Sequence, residues 1–274
     1  MKIAIQGELG SFSHQAALRA VPSPAIVPCV LSADAFERLR KGKVDAIMIP
    51  IENTLAGSVV EHYDLLRQHT AYIKSETVIR IEHHVIGVPG SDIEQVHRIY
   101  SHPVALAQCR SFFEQHLDIE PIAFYDTAGA VKQIIGLRDR HSAAIAGIQA
   151  ADIYGGTVLA EGVEDDAANF TRFLMVCAGA ARIQPEGAHK LSLCCEVEHR
   201  PGALSALLAT ISAAGGNVTH LQSRPVHGRP WKYHFFIDAL MPDAIASTML
   251  LERLPGLGVT HKVLGQFPAA REFA

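Results

Sequence analysis

Short apolar runs alternate with amphipathic stretches along the first third of the chain. Residues 2–6 alternate and are rich in Ile, and residues 25–30 and 45–50 form two further apolar runs. Between them, 13–19 and 32–41 place apolar residues at helical spacing, with Ser13 at the start of the first and Ser32 or Asp34 near the cap of the second. The run 45–50 is nearly all apolar, as expected of a strand covered by helices on both faces. Strand, helix, strand, helix, strand predicts a parallel α/β sheet, and the loops 7–13 and 52–58 follow strand C-terminal ends, where ligands of open α/β sheets bind.

The pattern then repeats with a long extended segment, 71–88, between the two sets. Strands are predicted at 98–100, 119–125 and 142–146, and helices at 104–116, 127–137 and 148–154. Return strands follow at 157–163 and 170–178. Two α/β lobes joined by extended crossovers predict a clamshell with the ligand between them. Residues 180–189, which include Pro185, Glu186 and Gly187, lack periodicity and mark a domain boundary. Beyond them the order is strand 190–198, helix 202–214, strands 218–226 and 233–239, helix 243–254 and strand 260–267. That βαββαβ order is the ferredoxin-like plan.

At 274 residues the chain has room for these two domains. Its composition, 49% apolar and 19% charged with a net charge of −4, suits a soluble globular protein and advertises neither nucleic acid nor an anionic membrane. The N-terminus turns polar too soon for a signal peptide, and no apolar run approaches a membrane span. A cytoplasmic protein is expected. The five cysteines (29, 109, 177, 194 and 195) include no CxxC pair, so buried thiols are expected, not a disulfide framework or a zinc site. The fifteen histidines show no HExxH or His-Cys spacing, and no metal is expected.

Polar clusters sit on the ends of apolar strands at 10–15, 49–58 and 169–176. In the last, Thr171 and Arg172 stand at the mouth of a buried element, where a hydroxyl and a guanidinium can meet a ligand. Taken alone, an ordinary strand-end role is the favoured reading for each, and the company of the other clusters raises the functional one. Three such clusters suggest one cleft.

In order along the chain, GSFSHQAA (10–17), PIENTLAGSV (50–59), SHPVALAQC (101–109), DTAGAV (126–131) and NFTRF (169–173) resemble the catalytic motifs of prephenate dehydratases. Gly202-Ala203-Leu204-Ser205 and Gln222-Ser223-Arg224-Pro225 resemble the two ACT motifs of the same family. The likeness implies a periplasmic-binding-protein-like, two-lobed catalytic domain over 1–180, with a second lobe near 77–156, and an ACT regulatory domain over 190–268. It implies loss of carbon dioxide and water from prephenate to give phenylpyruvate, without a cofactor, and feedback inhibition by L-phenylalanine. Pairing through ACT domains into a homodimer or homotetramer is expected. No chorismate mutase segment is expected ahead of Met1. Arogenate dehydratase is the alternative within the class, and a non-catalytic small-acid sensor the alternative outside it.

By this resemblance Thr171 assists departure of the ring hydroxyl, and Glu52 either relays a proton or serves as a cap or ion-pair partner. Asn53, Ser101, Gln108 and Thr127 are neutral hydrogen-bonding groups able to hold a dianion without repelling it. Gln108, seven residues past Ser101 and so two helical turns on, is expected to face the same cleft, while Ser101 and Thr127 are also candidate N-caps. Ser11, Thr54, Ser58, Arg172 and Phe173 complete the expected substrate contacts, Arg172 on a carboxylate or bracing the strand end. The turn at 10–13 offers amides to an anion. His14 and His102 are expected to be structural. Effector contacts are expected from Gly202, Ala203, Leu204, Asn217 and a turn holding Gln222, Ser223 and Arg224. Gln222 stands where the family usually carries Glu.

Overall fold

A computed structural model describes residues 1–181, 189–226, 228–229 and 231–270. Most of the expected boundary at 180–189 therefore lies outside the described residues. In chain order the first elements are β1 (Lys2–Gln6), α1 (Phe12–Ala20), β2 (Ala25–Cys29), α2 (Ser32–Arg40), β3 (Ala46–Asn53), β4 (Gly57–Ser58), α3 (Val60–Gln68) and β5 (Ala71–Arg80). Next come β6 (His84–Gly87), β7 (Arg98–Ser101), α4 (Pro103–Ala107), α5 (Arg110–Gln115), β8 (Glu120–Ala123), α6 (Thr127–Leu137), β9 (Ser142–Ala146), α7 (Ile148–Tyr154), β10 (Thr157–Ala160) and β11 (Phe170–Ala178). The last are β12 (Lys190–Glu196), α8 (Ala203–Ala213), β13 (Asn217–Pro225), β14 (Tyr233–Leu240), α9 (Ala244–Arg253) and β15 (Thr260–Phe267).

The chain forms two compact units, residues 1–59 with 77–173, and 60–76 with 174 onward. The division falls inside β5 and β11, so the units do not follow the expected split at 180. Three sheets result, with strand orders β2-β1-β3-β11-β5 (β4 on β3), β10-β6-β9-β7-β8 and β13-β14-β12-β15. β1 runs parallel to β2 and β3, and β7 parallel to β8 and β9, as the alternating pattern predicts. The apolar runs of β3 and β9 lie at the centre of their sheets, and Ala46–Ile49 and Ala143–Ala146 are fully buried. Around β9, α6 packs Ala128, Val131 and Ile134 into the core. Its N-terminus is held by Asp126, whose carboxylate accepts from Gly129 N at 2.6 Å.

Two expected elements are broken by contacts from distant sequence. The helix predicted over 104–116 is α4 and α5, separated at Gln108 and Cys109. Asp165 causes the break: its carboxylate accepts from Arg110 N at 3.0 Å and Ser111 N at 2.9 Å, capping α5, and its N–H donates to Gln108 O at 2.7 Å. The extended run 71–88 is β5 and β6, parted at residues 81–83. There Ile81 N–H turns to Asn169 O at 2.8 Å and His83 N–H to Glu164 Oε2 at 2.8 Å.

In the second unit the four-stranded sheet is amphipathic on both sides for different reasons. Leu191, Leu193 and Cys195 of β12 face the core with Leu207, Ile211 and Leu250 from α8 and α9. The alternate residues turn to α3 and the start of β5. Lys190 Nζ pairs with Glu76 at 2.7 Å, Lys262 Nζ donates to Leu66, Arg67 and His69 carbonyls at the end of α3 at 2.6–3.1 Å, and Phe236 packs on Tyr63. Those contacts explain why 60–76 joins this unit. All five cysteines are free and buried; burial pushes the Cys109 and Cys195 thiols up to about 12.

Gly265 of β15 lies directly on residue 73, where an added Cβ would stand 2.5 Å from Ile73 O. Gly265→Ala is therefore expected to lower unfolding stability by about 1–3 kcal/mol. Gly256→Ala, with nothing within 4 Å of its Cβ position, is expected to stay within about 0.5 kcal/mol of the parent. Paired urea titrations compare the two.

Candidate functional site

Within the first unit, a cavity of about 430 Å³ is lined from both lobes. The ends of β1 and β3, the start of α1 with the turn before it, and β4 supply Gln6, Gly7, Ser11, Ser13, Asn53 and Ser58. From the other lobe come His102, Gln108, Asp126 and Thr127, while His83, Thr171 and Phe173 lie on the crossovers. The placement of strand ends around one hollow follows from parallel β-α connections, which leave the loops at the C-terminal edge.

A closed set of side-chain amides forms its floor. Leu55 N and Ala56 N donate to Asn53 Oδ1 at 3.0 and 2.7 Å, and since a backbone N–H can only donate, the amide's orientation follows. Asn53 Nδ2 then faces Asn169 Oδ1 at 2.7 Å, Thr171 Oγ1 at 2.9 Å and Phe170 O at 3.1 Å. Asn169 Nδ2 donates to Gln108 Oε1 at 3.0 Å, and Gln108 Nε2 returns to Asn53 Oδ1 at 3.3 Å. His83 Nε2, 3.2 Å from the same Gln108 oxygen, is the donor there, and burial lowers the pKa of its ring, which keeps it neutral near pH 7. Asn169 is fully buried and Thr171 is 8% exposed. Having accepted from Asn53, the Thr171 hydroxyl retains its own proton to donate at the cavity wall.

Several expected positions lie elsewhere. Glu52 and Arg172, expected at the site, pair with each other, Arg172 Nη1 to Glu52 Oε2 at 4.0 Å, and neither is among the residues that line the cavity. Thr54 donates to Ala168 O at 2.9 Å and accepts from Phe170 N at 2.9 Å, fastening the segment that leads into β11 instead of lining the hollow. Ser101 is fully buried and donates to Ile145 O at 2.6 Å. The N-caps are His102 and Asp126, one residue away from the candidates Ser101 and Thr127. Gln108 does reach the cavity, but as the C-cap of α4, not from a continuing helix. In the turn at 10–13, Gly10 N–H is spent on His14 Nδ1 at 3.0 Å and Ser11 N–H on Glu8 O at 3.2 Å.

Asn169, His83 and Asp126 were not singled out by sequence. Asp126 had a usable signal, a carboxylate immediately before a small-residue helix at a strand end. His83, in an apolar extended run, had none. No lining side chain is Lys or Arg. Among the described residues no group of three or more His, Cys, Asp or Glu is set to hold a metal, and no helix is long and apolar enough to cross a membrane.

In the second unit, Gly202 caps α8 in the left-handed conformation (φ 80°), with Ala203 and Leu204 following it into the core. Residues 222–225 are not a turn but part of the edge strand β13. Arg224 is drawn to Asp64 of α3 at 2.8 Å, and Gln222 donates to the adjacent Ser223 O at 2.9 Å. His220, from the same face, stacks on Tyr63 and lies 2.7 Å from its hydroxyl. Asn217 is exposed at the start of the strand. The expected effector set is therefore divided: Arg224 serves the packing on α3.

Comparison with known proteins returns two family models, prephenate dehydratase over residues 3–181 and the ACT domain over 193–249. Arogenate dehydratase/prephenate dehydratase 2 of Arabidopsis thaliana is 35% identical, covering 98% of this chain and 73% of that one. The crystal structure of a prephenate dehydratase from Arthrobacter aurescens in complex with L-Phe is 28% identical, with a TM-score of 0.86 over 98% of this chain and 90% of that one. GqqA, described as a novel type of quorum quenching acylase, is 31% identical with a TM-score of 0.89 over 99% of each chain.

Removal of the fully buried Asn169 amide takes one hydrogen-bond partner from Gln108 Oε1 and one from Asn53 Nδ2, leaving Gln108 Oε1 with His83 and Asn53 Nδ2 with Thr171 and Phe170. Asn169→Ala is expected to cost about 1–3 kcal/mol of unfolding free energy, read from a denaturant midpoint.

Proposed function

Because the chain belongs to the prephenate dehydratase family and carries an ACT domain, we propose that it converts prephenate to phenylpyruvate, carbon dioxide and water. The reading rests on the Thr171 hydroxyl, held by Asn53 at 2.9 Å on the wall of a cavity large enough for a substrate of this size. Prephenate carries two carboxylates and a ring hydroxyl. Loss of that hydroxyl as hydroxide is slow at neutral pH, so a donor at its oxygen lowers the barrier. Thr171 is that hydrogen-bond donor. The C–C bond to the ring carboxylate breaks as the C–O bond does, and its electron pair completes the aromatic ring.

The amide floor suits this chemistry because it is uncharged and fixed in advance. Asn53, Gln108 and Asn169 satisfy one another, so the Thr171 hydroxyl needs no rearrangement when charge develops on the leaving oxygen. With no Lys or Arg on the wall, the substrate's carboxylates are met by hydroxyls and by the N-terminal amides of α1. The same geometry admits arogenate, which differs in bearing an amino acid where prephenate bears a keto acid, and the curated relative named for both activities supports testing both. L-phenylalanine is proposed as an effector of the ACT domain, entering at the Gly202 end of α8, with pairing of ACT domains between copies.

Thr171→Ala is expected to lower kcat by roughly 10²–10⁴ with KM changed little. Purified protein is assayed on prephenate and on arogenate; a wild-type preference for arogenate replaces the first substrate by the second, and an unchanged Thr171→Ala kcat removes Thr171 from the mechanism. For regulation, Gly202→Val is expected to weaken inhibition by L-phenylalanine while leaving turnover without it intact. Inhibition curves that superimpose on wild type discard the Gly202 assignment.

A further inference from the structure

The dehydratase reading leaves two substrate carboxylates to be held in a cavity whose lining carries no Lys or Arg. The amide nitrogens of Asn53 and Gln108 are already engaged in the floor. The hydroxyls of Ser11, Ser13, Ser58 and Thr127 remain on the wall, and so does one ring nitrogen, Nε2 of His102. We propose that His102, besides capping α4, is a substrate-binding residue whose Nε2–H donates to a substrate carboxylate. The inference deepens the dehydratase reading and rests on it.

The cap itself decides which ring nitrogen carries the proton. Val104 N–H donates to His102 Nδ1 at 3.2 Å. A backbone N–H can only donate, so Nδ1 presents its lone pair and the single proton of the neutral ring is on Nε2. A second proton, on Nδ1, would set two N–H groups against each other and break the cap. Burial acts in the same direction and lowers the pKa of this ring. With Nδ1 turned to the start of α4, Nε2 is turned away from that backbone. Among the described residues no protein acceptor meets it.

Placement and chemistry agree with this role. His102 follows β7, which runs parallel to β8 with Ser101 beside Ala123, so His102 and Thr127 come from the loops after neighbouring strands, and both line the cavity. His102 is exposed, within reach of a ligand, whereas the other lining imidazole, His83, is 2% exposed and gives its Nε2 proton to Gln108. Hydroxyls rotate to donate or to accept, but Nε2–H of a ring fixed in one tautomer can only donate. It therefore suits a carboxylate oxygen and offers nothing to the ammonium of arogenate. Prephenate and arogenate each carry two carboxylates, so the contact serves either substrate. A hydrogen bond to an ionised acceptor is stronger than one between neutral groups, so this contact holds the anion without a cation on the wall.

His102→Asn separates the two roles. An Asn side-chain oxygen still accepts from Val104 N–H and keeps the cap, but the shorter side chain places no donor where Nε2 stands. Full-length wild type and variant are assayed on whichever of prephenate and arogenate the wild type consumes. KM is expected to rise roughly 10–100-fold with kcat within about threefold, as for loss of a contact made equally in the ground and transition states. A denaturant midpoint equal to that of wild type shows that the cap survives; should Asn misfold, His102→Ser, also a capping residue, is read in the same way. A folded variant with wild-type KM means His102 is only a cap, and overturns the proposal while leaving the dehydratase reading in place. In wild type, long-range proton–nitrogen NMR correlations are expected to place the His102 ring proton on Nε2; a proton on Nδ1 overturns the proposal equally. Wild type inactive on both substrates overturns the dehydratase reading and this inference together.

Discussion

Three amide side chains from distant parts of the chain close a hydrogen-bonded ring, and the rest of the site depends on it. Asn53 ends a strand of the first sheet, Gln108 caps a short helix of the second lobe, and Asn169 opens the return crossover. Each member supplies the donor or acceptor the next one lacks, so three buried polar groups are placed without an unpaired atom between them. Thr171 sits two residues past Asn169 and is oriented by the same Asn53 nitrogen. The ring therefore converts the meeting of two lobes into one oriented hydroxyl.

Around it, little charge reaches the cavity wall. Glu52 and Arg172 pair with each other and are not among the lining residues, while Asn53 and Thr171 are. The wall is left with neutral donors and a single carboxyl, Asp126, whose burial favours its protonated form.

The second unit has a related economy. Alternate residues of its sheet serve two different layers, apolar ones packing on α8 and α9, polar and aromatic ones on α3 and the start of β5. Arg224, His220 and Lys262 are all drawn into that second layer. Residues 60–76 thus belong with the ACT-domain sheet by packing although they fall inside the prephenate dehydratase match by sequence, which is why the compact units and the family-model boundaries differ.

What the sequence determined by itself was whatever depends on local periodicity and short motifs: the parallel α/β order, the buried central strands at 45–50 and 142–146, the βαββαβ tail, and the family. It also marked Asn53, Gln108, Thr127 and Thr171 for one cleft, through the motifs they share with the family. Only the tertiary structure decided which residue of each motif reaches the cavity, since a motif names adjacent residues and their partners come from elsewhere; Glu52 pairs with Arg172, and Thr54 is held by Ala168 and Phe170. It likewise decided where the helix at 104–116 breaks, because the capping carboxylate comes from Asp165. Asn169 and His83 acquire their places from Asn53 and Gln108, far along the chain, and no local pattern encodes those partners.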